Sequence, residues 1–200
     1  MKVLTTLTSP YGRIVRALII EKGFESRVEV VQTVTRTPDT PVLDVNPSGR
    51  VPTLITDDGT MFEDSPLICA YLDSLADPQV LAPLADWDAQ ILDARVRSMQ
   101  DGLAVWIREV RRPENEQSPT IVVHEKARAL RLAGVFDEIV KTGALDGPLD
   151  IAQLTLGCMM HGRDDGRPTG FDWRENNPNL AAWVDRFGER KSMQETLPPV

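Results

Sequence analysis

The stretch Asn46-Pro47-Ser48-Gly49-Arg50-Val51-Pro52-Thr53-Leu54-Ile55 indicates the fold of this chain more specifically than any other. A proline- and glycine-containing loop runs here into a short β-favouring segment, Val51 to Ile55. Asp57-Asp58-Gly59 then predicts a tight turn into Met61-Phe62-Glu63, which is a hairpin pattern. Ser65-Pro66 predicts a helix start, with serine able to cap and proline at the first helical position.

The residues before this stretch predict a strand, a helix and a second strand. Val3-Leu4-Thr5-Thr6-Leu7 favours a strand, and Ser9-Pro10-Tyr11-Gly12 breaks it. Apolar residues at helical spacing follow until Gly23, and Val28-Glu29-Val30-Val31 supplies the next strand. The order βαβ and then ββα predicts an α/β domain over residues 1–78.

A change of pattern marks a second domain, which we expect to be all-helical over residues 86–200. The proline-punctuated stretch Asp77–Leu84 is suited to an interdomain linker. Helices are predicted over 87–110, 129–140, 151–160 and 178–187. Asp150 and Gln153 have the spacing of a capping box, ahead of an apolar run that predicts a buried helix.

Composition narrows the function classes. The net charge of −8 argues against a general nucleic-acid surface, which needs clustered Lys and Arg. No run of about 18 apolar residues is present for a membrane span, and the first residues lack the features of a signal peptide. We therefore expect no nucleic acid, no membrane and a cytoplasmic location.

The scarce cysteines and histidines give little support to metal or thiol chemistry. Cys69 and Cys158 lie far apart in apolar helical contexts, which is typical of packing residues. His124 is expected at the surface or at a helix start, and His161 as a polar group satisfied within the structure. We predict no metal site.

Three separated segments together resemble the glutathione S-transferase family. They are Ser9-Pro10-Tyr11-Gly12-Arg13-Ile14-Val15-Arg16, Asn46 to Leu54, and Glu63-Asp64-Ser65-Pro66-Leu67-Ile68-Cys69-Ala70-Tyr71-Leu72. The resemblance covers nearly the whole chain. It implies a thioredoxin-like N-terminal domain that holds glutathione as co-substrate, and an all-α C-terminal domain that completes a site for a small apolar electrophile. It also implies a homodimer.

The first segment resembles the serine-type active-site motif of the family. Glutaredoxin-like relatives have two cysteines where this chain has Ser9 and Gly12, so disulfide reductase activity is disfavoured. The resemblance implies that the Ser9 hydroxyl stabilises the thiolate of glutathione. Tyr11 is the alternative donor, and a purely structural alternative is that Ser9 only caps the helix.

The second and third segments imply the glutathione contacts. By resemblance, Pro52 follows a cis peptide bond, the Val51 backbone pairs with the cysteinyl part, and Arg50 lies near the glycine carboxylate. The Asp64 carboxylate can hold an α-ammonium, while Ser65 and nearby helix amides offer donors to an α-carboxylate. The alternatives are a solvated arginine, an edge-strand proline and an ordinary helix start.

The second-substrate pocket is expected between Tyr11 and the long helix that contains Met99, Leu103, Trp106 and Arg108. Apolar residues at helical spacing are more often core than pocket, so this set is a list of candidates.

The combined hypothesis is an enzyme that transfers glutathione to electrophiles or reduces peroxides. A glutathione-binding carrier or regulatory protein is one alternative. The other is a glutathione-dependent isomerase or dehalogenase on the same fold.

Overall fold

A four-stranded sheet with two helices occupies the first part of the chain in the computed structural model, which describes residues 1–162 and 168–199. The strands are β1 (Lys2–Thr5), β2 (Glu29–Gln32), β3 (Thr53–Ile55) and β4 (Met61–Glu63), and the helices are α1 (Pro10–Glu21) and α2 (Ser65–Ser74). The strand order is β2-β1-β3-β4. β1 pairs parallel with β2 and antiparallel with β3, and β3 pairs antiparallel with β4. The predicted α/β fold is confirmed.

The region after residue 86 contains only helices and a short 3-10 turn in its described part. The helices are α3 (Trp87–Val110), α4 (Pro119–Lys141), α5 (Ile151–Met160), α6 (Pro178–Gly188) and α7 (Lys191–Glu195), and the 3-10 turns of the chain are Pro41–Asp44 and Glu114–Glu116. None of the described helices is long and apolar enough to cross a membrane.

α4 begins ten residues before the predicted start at residue 129. Ser118 caps it, with its hydroxyl accepting a hydrogen bond from the amide of Ile121. Ile121 and Val123 in its first turns are exposed, so the apolar repeat that predicts an amphipathic helix becomes visible only further along. The sequence prediction also missed α7.

α5 is the central helix of the helical region, and every residue from Ala152 to Met160 is buried. The predicted capping box is confirmed: the Gln153 amide donates to Asp150 at 2.8 Å, and the Asp150 amide donates to the Gln153 side chain at 2.8 Å. Cys158 on α5 packs in the same apolar cluster as Val3 of the sheet. α5 therefore contributes residues both to the core of the sheet region and to the separate core of the helical region.

Both cysteines are buried and free, as predicted. Burial raises the pKa of the Cys158 thiol to about 12 and that of Cys69 well above its ordinary value. Neither thiol is ionised near neutral pH, so the two residues act in packing.

The proline-rich stretch after α2 is fastened to the sheet region. The Asp73 carboxylate accepts hydrogen bonds from the amides of Val80 and Leu81 at 2.9 and 3.0 Å, and it lies 3.0 Å from the Lys22 ammonium in a buried ion pair. The chain therefore enters α3 in a fixed direction.

Arg13 joins α1 to the end of α5 and to α7. Its buried guanidinium donates to the carbonyls of Cys158 (3.0 Å), His161 (2.5 Å) and Met193 (2.9 Å). Its Nη2 also lies 3.1 Å from Nδ1 of His161, so this histidine is satisfied within the structure, as predicted. Burial lowers the pKa of Arg13, but its acceptors hold the charged form in place.

We expect Arg13→Met to lower the free energy of unfolding by about 3 kcal/mol, because it leaves buried carbonyls without donors. Urea unfolding measures the loss. The matched control is Arg95→Met at an exposed position of α3, which should change stability by less than about 0.5 kcal/mol. Equal losses in the two variants would show that the buried contacts carry no special weight.

Candidate functional site

Ser9 lies at the N-terminus of α1, where the sheet region meets the helical region. It is the N-cap residue, and its Oγ accepts a hydrogen bond from the amide of Gly12 at 3.1 Å. Its hydroxyl proton has no acceptor within residues 1–162 and 168–199. Ser9 therefore caps the helix and still has a donor to offer.

Gly12 permits a close approach between α1 and β1. A Cβ atom at this position would lie 1.9 Å from Oγ1 of Thr5, a distance that no side chain can occupy. The absence of a second cysteine in the motif thus has a packing reason in this chain.

Tyr11 is held by the helical region. Its hydroxyl donates to Oδ1 of Asp101 on α3 at 2.5 Å. Partial burial, together with the hydrogen bond to the Asp101 carboxylate, raises the pKa of Tyr11 well above 10. The hydroxyl proton already has a strong acceptor, so Tyr11 is poorly placed to act as a second donor.

The loop before β3 has the predicted cis peptide bond between Val51 and Pro52. Pro52 is buried, Val51 is half-buried and Arg50 is exposed. The amide and carbonyl of Val51 form no hydrogen bond to any described residue. The strand itself begins at Thr53, two residues later than predicted, so this backbone is free to pair with a ligand.

Glu63 at the end of β4 organises this loop, a role that sequence reasoning missed. Its carboxylate accepts from Nδ2 of Asn46 at 3.0 Å and from the hydroxyl of Ser48, and these two bonds lower the pKa of Glu63. Oδ1 of Asn46 in turn accepts from the Ser48 amide at 2.9 Å. These bonds join polar residues that lie far apart in the sequence, so no periodic pattern of residues predicts them.

Asp64, and not Ser65 as predicted, is the N-cap residue of α2. Asp64 has a positive φ of 75° and makes no side-chain capping bond, so its carboxylate remains unused. Ser65 becomes the first helical residue and Pro66 the second. The Ser65 residue is buried, and its hydroxyl has no partner among the described residues. An unpaired hydroxyl at a helix N-terminus suits a carboxylate ligand.

The electrostatic couplings bring the three sequence segments together. The charge of Arg50 acts on both Tyr11 and Asp64, lowering the pKa of each. Partial desolvation has the opposite and larger effect, so the pKa of Asp64 is raised. Arg97 of α3 acts on Asp64 as well, and it is itself bonded to Asp93 at 2.8 Å. The resulting group of residues surrounds the N-termini of α1 and α2.

A narrow cavity of ≈ 30 Å³ adjoins Pro10, the residue after Ser9. One wall is formed by α3 and the other by the end of α5 and by Thr169, Phe171 and Trp173. Its lining includes Gln100, Leu103, Ala104, Ile107, Met159, Met160, Phe171 and Trp173. A cavity of this volume has room for about two water molecules.

The structure places one of the four candidate pocket residues, Leu103, on the cavity wall. Met99 and Trp106 are 1% exposed in the helical core, where Trp106 packs against the cavity residue Phe171 at 5.8 Å between ring centroids. Arg108 is exposed and donates to the Ala104 carbonyl. Of the four candidates, Met99 and Trp106 thus lie in the core, Arg108 lies at the surface and Leu103 lines the cavity.

The described residues contain no group of three or more His, Cys, Asp or Glu side chains that could hold a metal ion. The polar groups of the site are hydroxyls, carboxylates, guanidinium groups and backbone amides. Such groups bind amino-acid and peptide ends.

Known proteins resemble this chain over its full length. The family model for the glutathione S-transferase N-terminal domain matches residues 8–75. A glutathione S-transferase from Methylobacillus flagellatus, solved with GSH bound, is 30% identical with a TM-score of 0.86, and 99% of each chain is covered. A family member from Pseudomonas fluorescens, solved with bound S-(propanoic acid)-glutathione, is 28% identical with a TM-score of 0.84 and 100% coverage of both chains. The uncharacterized GST-like protein YibF of Escherichia coli is 28% identical, covering 100% of this chain and 99% of YibF.

A thioredoxin-like sheet followed by a helical region, with polar groups gathered at the first helix N-termini, defines the glutathione S-transferase fold. The chain belongs to the glutathione S-transferase family. The fold predicted from the sequence is therefore confirmed.

The Tyr11–Asp101 bond should couple α1 to α3 energetically. In a double-mutant cycle of Tyr11→Phe and Asp101→Asn, we expect a coupling of about 1 kcal/mol in the free energy of unfolding. Each single variant already removes the same partly exposed bond to a charged acceptor, so the double variant does not lose it a second time. Chemical denaturation of the four proteins measures it. Losses that add within about 0.3 kcal/mol would show that the bond contributes nothing to the junction.

Proposed function

We propose that this protein is a glutathione transferase that ionises the thiol of glutathione at Ser9. The thiolate then attacks an electrophilic carbon, or a peroxide oxygen, of a small apolar substrate. Support comes from the relatives that were solved with glutathione or a glutathione derivative bound. The cavity beside Pro10 is the proposed place of the second substrate.

Glutathione would lie along the N-termini of α1 and α2. Its γ-glutamyl ammonium pairs with the carboxylate of Asp64, because this carboxylate makes no capping bond to α2. The neighbouring α-carboxylate accepts from the Ser65 hydroxyl and from the first amides of α2. The cysteinyl backbone pairs with Val51 in the manner of an added strand, and Arg50 faces the glycine carboxylate.

The observation that carries the activation step is the bond from the Gly12 amide to Oγ of Ser9. Because this bond occupies a lone pair of the oxygen, the hydroxyl is oriented with its proton free for another acceptor. A thiolate is such an acceptor, and the positive end of the α1 dipole adds to its stabilisation.

The energy required is within reach of this arrangement. Lowering a thiol pKa from about 8.5 to about 7 needs roughly 2 kcal/mol of preference for the charged form. A hydrogen bond to a charged group supplies about 1.5–3 kcal/mol. The hydroxyl of Ser9 and the dipole of α1 are sufficient without a metal or a general base.

We predict that Ser9→Gly raises the pKa of the bound glutathione thiol by about one unit or more, because the hydroxyl donor of the α1 N-cap residue is removed. Glycine keeps a serviceable N-cap, whereas Ser9→Ala also costs about 1 kcal/mol of stability. Thiolate absorbance against pH gives the pKa, and calorimetry gives the glutathione affinity.

Tyr11→Phe is the matched control and should leave the thiol pKa unchanged, because the Tyr11 hydroxyl is committed to Asp101. A thiol pKa that follows Tyr11 and ignores Ser9 would reverse the assignment. Glutathione binding with an ordinary thiol pKa in the wild-type protein would favour a carrier over a transferase.

Asp64 predicts a pH dependence of glutathione affinity. The pKa of Asp64 is raised, so in the free protein its carboxylate becomes protonated at a higher pH than an ordinary aspartate. Because ammonium binding needs the carboxylate, affinity should fall as the pH falls through this raised pKa and stay constant above it. The free energy of unfolding of the free protein should instead rise as the pH falls through this range, because a raised pKa means that the fold favours the protonated carboxyl.

Asp64→Asn should weaken glutathione binding about tenfold at pH 7 and abolish this pH dependence, leaving only the titration of the ligand. Asparagine tolerates the positive φ of residue 64, so the backbone is preserved. Calorimetry between about pH 4 and pH 7 measures both effects, with the exposed Asp44→Asn as the control. Parallel pH profiles in the wild type and Asp64→Asn would exclude the ammonium contact.

The homodimer remains a prediction of the family resemblance, and the cytoplasmic location remains a prediction from the sequence composition and its first residues. Trp87 and Ile91 lie one turn apart on α3 and are 76% and 45% exposed. Apolar side chains in such positions are compatible with a subunit contact.

A further inference from the structure

The peptide group between Arg50 and Val51 is held by buried side chains at its carbonyl end. The Arg50 carbonyl accepts a hydrogen bond from the Thr53 hydroxyl at 2.7 Å and a longer one from Nδ2 of Asn46 at 3.5 Å. Thr53 and Asn46 are both 0% exposed, so this carbonyl is turned towards the protein interior. The amide of Val51, at the other end of the peptide group, has no acceptor among the described residues.

The geometry of this peptide group sets the direction of the Val51 N–H. The Arg50–Val51 bond is trans, and the C=O and N–H bonds of a planar trans peptide point in opposite directions. The Val51 N–H is therefore turned away from the buried side chains. Thr53 pairs with Glu63 across β3 and β4, and continuing this register places Val51 level with Ser65. The N–H thus lies beside the proposed site of the glutathione α-carboxylate.

The hydrogen bonds behind this peptide group have only one possible direction. Oδ1 of Asn46 accepts from the Ser48 amide at 2.9 Å, and Nδ2 donates to the Glu63 carboxylate at 3.0 Å. These two partners fix which end of the Asn46 amide is the donor, because a backbone N–H only donates and a carboxylate only accepts. Nδ2 also donates to Oγ1 of Thr53 at 2.9 Å. The Thr53 hydroxyl is left to give its own proton to the Arg50 carbonyl.

Thr53 connects this network to the centre of the sheet. Its backbone pairs with Leu4 of β1 on one side and with Glu63 of β4 on the other. From this fixed position its hydroxyl reaches back three residues into the loop. The loop peptide is therefore ordered before any ligand arrives, and less conformational entropy is lost on binding.

We infer that Thr53 is a positioning residue that holds the Val51 N–H towards the cysteinyl carbonyl of glutathione, with Asn46 fixing the direction of the Thr53 hydroxyl. This inference rests on the proposed function, in which the Val51 backbone pairs with the ligand. Thr53 is buried and acts through the peptide group between residues 50 and 51. Its contribution is therefore to glutathione affinity, whereas Ser9 acts on the thiol.

Two substitutions of Thr53 separate the hydroxyl from the shape of the side chain. Thr53→Val keeps the branched side chain that a strand favours and removes the hydroxyl, and Thr53→Ser keeps the hydroxyl. We expect Thr53→Val to weaken glutathione binding about fivefold, because the Val51 N–H loses its fixed direction. Thr53→Ser should bind within about twofold of the wild type. Calorimetry measures the three affinities.

A second ligand tests the contact itself. Replacing the Cys–Gly peptide bond of glutathione by a trans carbon–carbon double bond removes the cysteinyl carbonyl and keeps the extended shape. The wild type and Thr53→Ser should bind this analogue about fivefold less tightly than glutathione, whereas Thr53→Val should bind the two ligands with affinities within about twofold. An equal loss for the analogue in all three proteins would overturn the inference, since the Val51 N–H would then keep its direction without the hydroxyl.

Thr56→Val is the matched control for a loss of stability. Thr56 is 8% exposed at the far end of β3, and its hydroxyl bonds to Asp58 and, at 3.1 Å, to the Thr60 carbonyl. Both valine variants remove a hydroxyl from the same hairpin, so each should lower the unfolding temperature by about 2–4 °C. Only Thr53→Val should change the glutathione affinity. An equal loss of affinity in both variants would trace the effect to hairpin stability and overturn the inference.

The failures of the two proposals are distinguishable. A thiol pKa that depends on Ser9, together with equal glutathione affinities in the wild type and Thr53→Val, would overturn the role of Thr53 and leave the transferase proposal intact. A thiol pKa that changes in Thr53→Val at unchanged affinity would also overturn it, because Thr53 would then act on the thiol. Absence of glutathione binding by the wild type would remove the proposed function, and the inference with it.

Discussion

The buried guanidinium of Arg13 is the interaction on which the geometry of the site depends. A cation in a protein interior is tolerated only when acceptors surround it, and here carbonyls from the end of α5 and from α7 supply them. Because Arg13 lies in the first turns of α1, these bonds fix the helix N-terminus that carries Ser9. The same bonds fix the distance between Pro10 and the end of α5, and hence the width of the cavity.

A second constraint acts on the sheet side of the site. Glu63 bonds to Asn46 and Ser48, so the loop before β3 is held to the end of β4 by side chains and not by the sheet ladder. This arrangement leaves the Val51 backbone without a partner among the described residues. It also places the turn at Asp64 next to the loop, where the Asp64 carboxylate makes no capping bond to α2. The groups that we propose to bind glutathione are thus a consequence of how the loop is anchored.

The sequence predicted helices well where one face is buried along the whole helix, and poorly where that face is interrupted by exposed apolar residues. α3 was found from residue 87 to 110 because its apolar repeat is sustained, whereas the start of α4 was hidden by exposed Ile121 and Val123. Periodicity alone could not separate Leu103 on the cavity wall from Met99 in the core, since both are apolar positions of one helix. The N-cap position of Asp64 was not predicted, because an aspartate in a sequence does not indicate that its φ is positive.

The thiol activation that we propose for this protein has to be a local effect. A net charge of −8 opposes a new anion, but exposed charges are screened beyond about 8–10 Å at physiological ionic strength. Near the site, Arg50 and Arg108 both favour the anionic form of Tyr11, yet burial and Asp101 outweigh them. The phenol is therefore kept neutral by its burial and by the carboxylate that it bonds, and its proton is not available to stabilise a second anion. The groups that remain at the start of α1 are the Ser9 hydroxyl and the positive end of the helix dipole. Both act at contact distance, where screening by salt is weakest. At that distance, one hydrogen bond outweighs the field of the distant charges.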